Sequence, residues 1–181
     1  MATSEQIIQL ALSYVGTKED PPGSNITPFT IAYYNGKLPP NPAASSPWCV
    51  IFGWYIFKEA GASSIFCEGA RVGSCSAVLR WAQQNGLTVE KENAKRGDII
   101  LFDWANHDKV PDHFGFSLGS PEAGKIRTVE GNTEDMVAER QRSMTDVGYV
   151  IRPKYAQSPG SDFVTREELR AALRALLDKF N

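Results

Sequence analysis

The chemistry this sequence can perform rests on few residues, because the 181-residue chain has only three cysteines and two histidines. Cys49 lies in PWCVIFGWYIFKEAG, at the first turn of an apolar helical run that opens just behind Pro47, a residue suited to a helix start. Unpaired N–H groups and the positive end of the helix dipole favour an anion there, so a thiolate would be stabilised. A cysteine in an apolar run is more often a buried, inert side chain. The place at the helix start, directly after Trp48, is what marks Cys49 as a candidate nucleophile. Such a thiol needs a base and a group that orients the base. His113, in PDHFGFSL, directly precedes a β-like run whose backbone can aim its ring. His107, in DWANHDKVPD, sits in a polar stretch and is predicted to be a solvated surface residue. The orienting group is expected on the next β-like run, which ends in VEGNT. An antiparallel return through the turn-rich residues 120–124 would bring Glu130 or Asn132 beside His113. Alone, VEGNT reads as an ordinary turn with a solvated glutamate; with a helix-start cysteine and an aimed histidine, it completes a set suited to acyl transfer through a thiol.

Several elements must position these groups. Residues 4–15 carry Ile7, Ile8, Leu10, Ala11, Leu12 and Val15 at helical spacing, ending at Gly16. Residues 17–47 are rich in proline and read as a long loop, with Phe29, Ile31, Tyr33 and Tyr34 packing it onto the body. Helices are predicted over about 49–60 and 76–85, each stopped by a glycine, Gly61 and Gly86. Short strands are predicted at 98–103, 114–118, 126–130 and 149–152. Helices first and strands second predict an α+β domain with an antiparallel sheet against the helices. Residues 1–156 form that domain, and QSPGSD at 157–162 reads as a linker. Residues 163–181 read as a C-terminal amphipathic helix, capped by Thr165 and Glu168, with Phe163, Leu169, Leu173, Leu176 and Leu177 on one side. A helix this short needs a partner surface, either the domain or a second copy of the chain.

In order along the chain, WC at a helix start, KRGDIILFDW, DHFGFSLG and VEGNT together resemble the CHAP family, the cysteine, histidine-dependent amidohydrolases and peptidases. The family belongs to the NlpC/P60-like, papain-related superfamily, and the resemblance covers roughly residues 4–153. It implies a papain-like CHAP fold with N-terminal helices packed on an antiparallel sheet. It also implies Cys49 as nucleophile, His113 as base, Glu130 as the orienting group and Asn132 as a supporting polar residue. The implied substrate and partner is bacterial peptidoglycan. The bond would be the N-acetylmuramoyl–L-alanine amide or an amide of the stem peptide or cross-bridge, and many such domains are phage or prophage lysins. Trp48, beside the nucleophile, is expected at the substrate groove, and Tyr34, from the upstream loop, as a donor to the oxyanion. The rival class is a non-catalytic wall-binding or phage-tail structural module. Arg96-Gly97-Asp98 reads as a turn ahead of a strand, with Asp98 bonding local backbone.

Composition narrows the field further. Net charge is -2, the pI is about 5.7 and no basic tract occurs, so nucleic acid and anionic membranes have no electrostatic footing. The apolar stretches are too short for a membrane span. MATSEQIIQLALSYVG lacks the basic n-region of a secretory signal, so synthesis in a reducing cytoplasm and action on the wall after release are expected. Cys67 and Cys75 lack CxxC spacing; two free thiols or a disulfide formed after export both fit. No cofactor and no metal are expected. Between residues 6 and 48 the only acidic residues are Glu19 and Asp20. Asp103, Asn106, Asp108 and Asp112 lack EF-hand spacing and would form at most a weak cation site.

Overall fold

The computed structural model describes residues 2–40, 47–104 and 108–157. The predicted linker from 158 onward, the C-terminal helix and His107 lie outside the described residues. Four α-helices come first: α1 (Ser4–Ser13), α2 (Pro28–Tyr33), α3 (Cys49–Glu59) and α4 (Cys75–Gln84). Six strands follow: β1 (Thr88–Val89), β2 (Ile99–Phe102), β3 (His113–Ser117), β4 (Lys125–Thr133), β5 (Met136–Ser143) and β6 (Val147–Ile151). They form one sheet in the order β1-β6-β2-β3-β4-β5, with every pairing antiparallel. The architecture is therefore α+β, helices on an antiparallel sheet, consistent with a CHAP fold.

Helix α3 is the centre of the core, because its sequence is apolar all round: Val50, Ile51, Phe52, Trp54, Ile56 and Phe57 are all buried. A helix without a polar face needs cover on every side. The sheet supplies it through Phe114, Phe116, Val129 and Val137, while α1 and α2 supply Ile7, Ile8, Ala11 and Phe29. Contact between helix and sheet is close enough that a Cβ on Gly53 would lie 2.5 Å from the Phe114 ring. The opposite sheet face has its own smaller cluster, with Ile100, Phe102, Ile126, Val147 and Val150. Strand β2, IILF, is buried at every position because both faces are covered. Each fully buried aliphatic or aromatic side chain contributes about 1.5–3 kcal/mol relative to exposure.

The stretch expected as a plain loop contains α2. Its signal is local: Thr27 caps the helix by accepting from the Thr30 N–H (3.1 Å), and Pro28 takes the first turn, where a missing N–H costs nothing. Thr3 and Gln6 form the matching reciprocal cap on α1. Strand β5 was also not foreseen. The Arg-Gly-Asp tripeptide is built into the frame. Arg96 pairs with Glu5 (2.7 Å), and buried Asp98 accepts from the Lys95 N–H (2.8 Å) and from Arg152 (2.7 Å). Gly97 adopts a φ of 95° and sits so close to α1 that a Cβ would fall 2.5 Å from that of Ser4. Among the described residues no helix is long and apolar enough to cross a membrane.

Candidate active site

Three elements converge on one point. Cys49 is the first residue of α3, His113 the first of β3, and Glu130 lies on β4 opposite Gly115. His113 is therefore one alternate position from the residue facing Glu130, on the same side of the sheet. All three are buried. The His113 Nε2 is 3.1 Å from Glu130 Oε2, and the Cys49 thiol lies close enough to the ring for the two to shift each other's proton affinity. With Glu130 on Nε2, the nitrogen left for the thiol is Nδ1. Gly115 makes this possible by having no side chain: a Cβ there would lie 2.8 Å from Glu130 Cγ. Gly131 acts similarly on the other side, where a Cβ would meet Phe52 Cβ at 2.6 Å and Trp48 Cζ3 at 2.9 Å. Strand β4 can thus press against the start of α3.

The charges follow from these contacts. A hydrogen bond from Cys75, opposed by burial and aided by His113 and the Val50 N–H, holds the Cys49 thiol well below its ordinary range. Cys75 opens α4 as Cys49 opens α3; the contact with Cys49 and burial push its own thiol up. Burial alone would lower His113, but the hydrogen bonds and charges of Cys49 and Glu130 outweigh it and raise the group to about 9. Glu130 has no exposed surface, and burial would raise it; His113, Arg142 and Thr128 outweigh that and hold it at about 2. The directions of these shifts favour a thiolate beside an imidazolium, backed by a carboxylate. Such an arrangement can attack a carbonyl carbon and protonate a leaving amine.

Arg142, from β5, reaches Glu130 through Nε (3.0 Å) and Nη2 (2.6 Å). This fork was not read from the sequence, since nothing in MVAERQRS sets one arginine apart. Trp104 lies against the His113 ring, with centroids 5.2 Å apart and planes 25° from parallel.

The remaining expected residues divide. Asn132 sits beside the irregularity between Glu130 and Thr133, with a φ of 57° that asparagine tolerates; among the described residues the hydrogen bond to the His113 ring comes from Glu130 and not from Asn132. Trp48 is a correction. It has no exposed surface and does not line a groove. Its ring packs 5.6 Å from that of Phe29, and its Nε1–H donates to buried Glu19 Oε1 at 2.8 Å. An indole beside the nucleophile is drawn inward because its polar tip finds an acceptor there. Tyr34 caps the end of α2, its ring edge-on to Tyr33. Cys67 and Cys75 are free thiols. Among the described residues no three His, Cys, Asp or Glu side chains gather as a metal site.

The family model for the CHAP domain matches residues 41–132, just over half of the chain. The chain belongs to the CHAP family. CHAP domains are in general cysteine- and histidine-dependent amidohydrolases or peptidases, and peptidoglycan is their general substrate. The CHAP match contains Cys49, His113, Glu130 and Asn132 and ends before Arg142. No curated protein and no solved structure matched the chain.

Proposed function

We propose that this chain is a peptidoglycan hydrolase that cuts an amide bond by thiol covalent catalysis, with Cys49 as nucleophile, His113 as base and acid, and Glu130 as the group orienting His113. The observation that carries the reading is the buried meeting of Cys49, His113 and Glu130, with His113 hydrogen-bonded to Glu130 at 3.1 Å and mutual charges that favour thiolate and imidazolium together. The Cys49 thiolate adds to the amide carbonyl carbon, forming a C–S bond and moving the carbonyl pair onto oxygen. The Cys49 backbone N–H, at the start of α3, donates to that oxyanion, with Tyr34 as a second donor. Collapse breaks the C–N bond, and His113 passes its proton to the departing amine. Neutral His113 then takes a proton from water, the hydroxide attacks the thioester, and the acid leaves with the thiolate restored. Asn132 is the supporting polar residue of the site, orienting the ring or binding substrate.

The bond is the N-acetylmuramoyl–L-alanine amide or an amide of the stem peptide or cross-bridge. The proposed setting is a phage or prophage lysin made in the cytoplasm and acting on the wall after release. A zymogram with Cys49→Ala and His113→Ala, followed by mass spectrometry of the released fragments, tests both parts. Both variants should lose lysis, and the new termini identify the bond. Lysis retained by either would end the proposal.

A further inference from the structure

We infer that Arg142 and Trp104 are positioning residues for the His113 imidazole, Arg142 acting through Glu130 and Trp104 by lying flat against the ring. The inference rests on the thiol chemistry proposed above. A hydrogen bond to one nitrogen fixes a point on an imidazole but leaves the ring free to turn about it. Trp104 removes that freedom by stacking at 5.2 Å and 25°. Its far placement is itself determined: the Trp104 N–H donates to Asp112 Oδ2 (2.9 Å), tying it to the residue before His113. Phe102, the cross-strand partner of His113, stacks on Trp104 at 5.0 Å. The Arg142 guanidinium lies 4.9 Å from the Trp104 ring centroid, so one side chain touches both the aromatic layer and the carboxylate.

Arg142 has a second task. Glu130 is wholly buried, and a buried carboxylate without a counter-charge takes up a proton and loses an acceptor. The bidentate fork holds it ionised and, because both N–H groups are fixed, also holds its orientation. Thr133 Oγ1 accepts from the same Nη2 at 3.1 Å and locks the fork to the end of β4. Arg142 lies outside the residues matched by the CHAP model.

The test is steady-state hydrolysis of soluble peptidoglycan fragments by the full chain. Arg142→Met should lower kcat about 10–100-fold with KM little changed, the cost expected when a catalytic ring is misplaced by a fraction of an ångström to an ångström. Arg142→Lys, which keeps the charge but not the fork, should recover part of that loss. Trp104→Leu should lower kcat about tenfold, and Trp104→Phe should restore most of it. In a Glu130→Gln background, Arg142→Met should cost little more, because the two act as a unit. Melting curves accompany each variant; if Arg142→Met does not fold, the Arg142→Lys and Trp104 variants decide. Unchanged kcat in Arg142→Met and Trp104→Leu would overturn the inference, as would a rise in KM alone or full additivity with Glu130→Gln. Hydrolysis retained by Cys49→Ala would instead overturn the underlying thiol reading, so the two failures are distinct.

Discussion

Replacing Gly115 by alanine adds one methyl group at the point where the site is tightest. Gly115 faces Glu130 across the β3–β4 pairing, and the new Cβ would fall 2.8 Å from Glu130 Cγ, with Phe102 Cε2 and Thr128 Cβ each at 3.5 Å. Ordinary contact begins at 3.4 Å, so Glu130 and β3 must separate by about 0.6 Å. Glu130 cannot yield freely, since Arg142 grips it at 2.6 and 3.0 Å and the Thr128 hydroxyl donates to it. The movement therefore falls on the 3.1 Å contact with His113. If a misplacement of about 1 Å costs about 100-fold, this one should lower kcat about tenfold or more. Overpacking costs about 1–3 kcal/mol, offset by the roughly 0.5–1 kcal/mol that alanine gains over glycine in a strand. The net effect on Tm should be a fall of only a few degrees. The assay pairs turnover on soluble fragments with thermal melting. Wild-type turnover in Gly115→Ala would refute the claim that the seat of Glu130 limits the reaction.

Four further outcomes follow from the charges. Cys75→Ala removes the hydrogen bond that most lowers the Cys49 thiol, so the acid limb of Cys49 alkylation by iodoacetamide should move to higher pH; an unmoved limb would mean Cys75 is only packing. The raised His113 should place the alkaline limb of kcat near pH 9, in a turnover-versus-pH profile. The same contact contributes stability that is full below about pH 6.5 and lost as pH rises through about 9, whereas that of Glu130 is full above about 4.5 and lost as pH falls toward about 2, so Tm should decline on both sides. Arg152→Met strands buried Asp98; with Arg152 itself about a third exposed, the cost should be about 2–3 kcal/mol in denaturant unfolding, while kcat at low temperature stays unchanged.

What could be read in the sequence was what is encoded locally. The start of α3 at Cys49, the start of α4 and the strands around His113 and Glu130 fall within a few residues of expectation, because apolar period and glycine stops mark them. Glu130 and Asn132 could not be separated from spacing alone; the register that sets Glu130 against Gly115 separates them. Strand β5 escaped notice because MVAERQRS is polar and lies at a sheet edge, where one face is solvated and alternation fades. Arg142 was lost with it. Trp48 was misplaced for a different reason: its inward turn depends on Glu19, 29 residues away and buried by the fold. Cys75 meets Cys49 only because two helix starts converge, which no local pattern announces.

Strand β5 bears on how the molecule behaves in company. As the outermost strand of the sheet it offers a row of backbone groups to any extended chain that comes near. Residues 16–19 occupy the first part of that row: Gly16 N–H donates to Val137 O (2.9 Å), Val137 N–H to Thr17 O (2.9 Å) and Glu19 N–H to Asp135 O (3.1 Å). Beyond them Glu139, Arg140 and Arg142 make the remainder charged. The opposite rim ends in β1, two residues long. A sheet bounded in this way resists stacking into fibrils at high concentration, so the protein should stay dispersed when it accumulates.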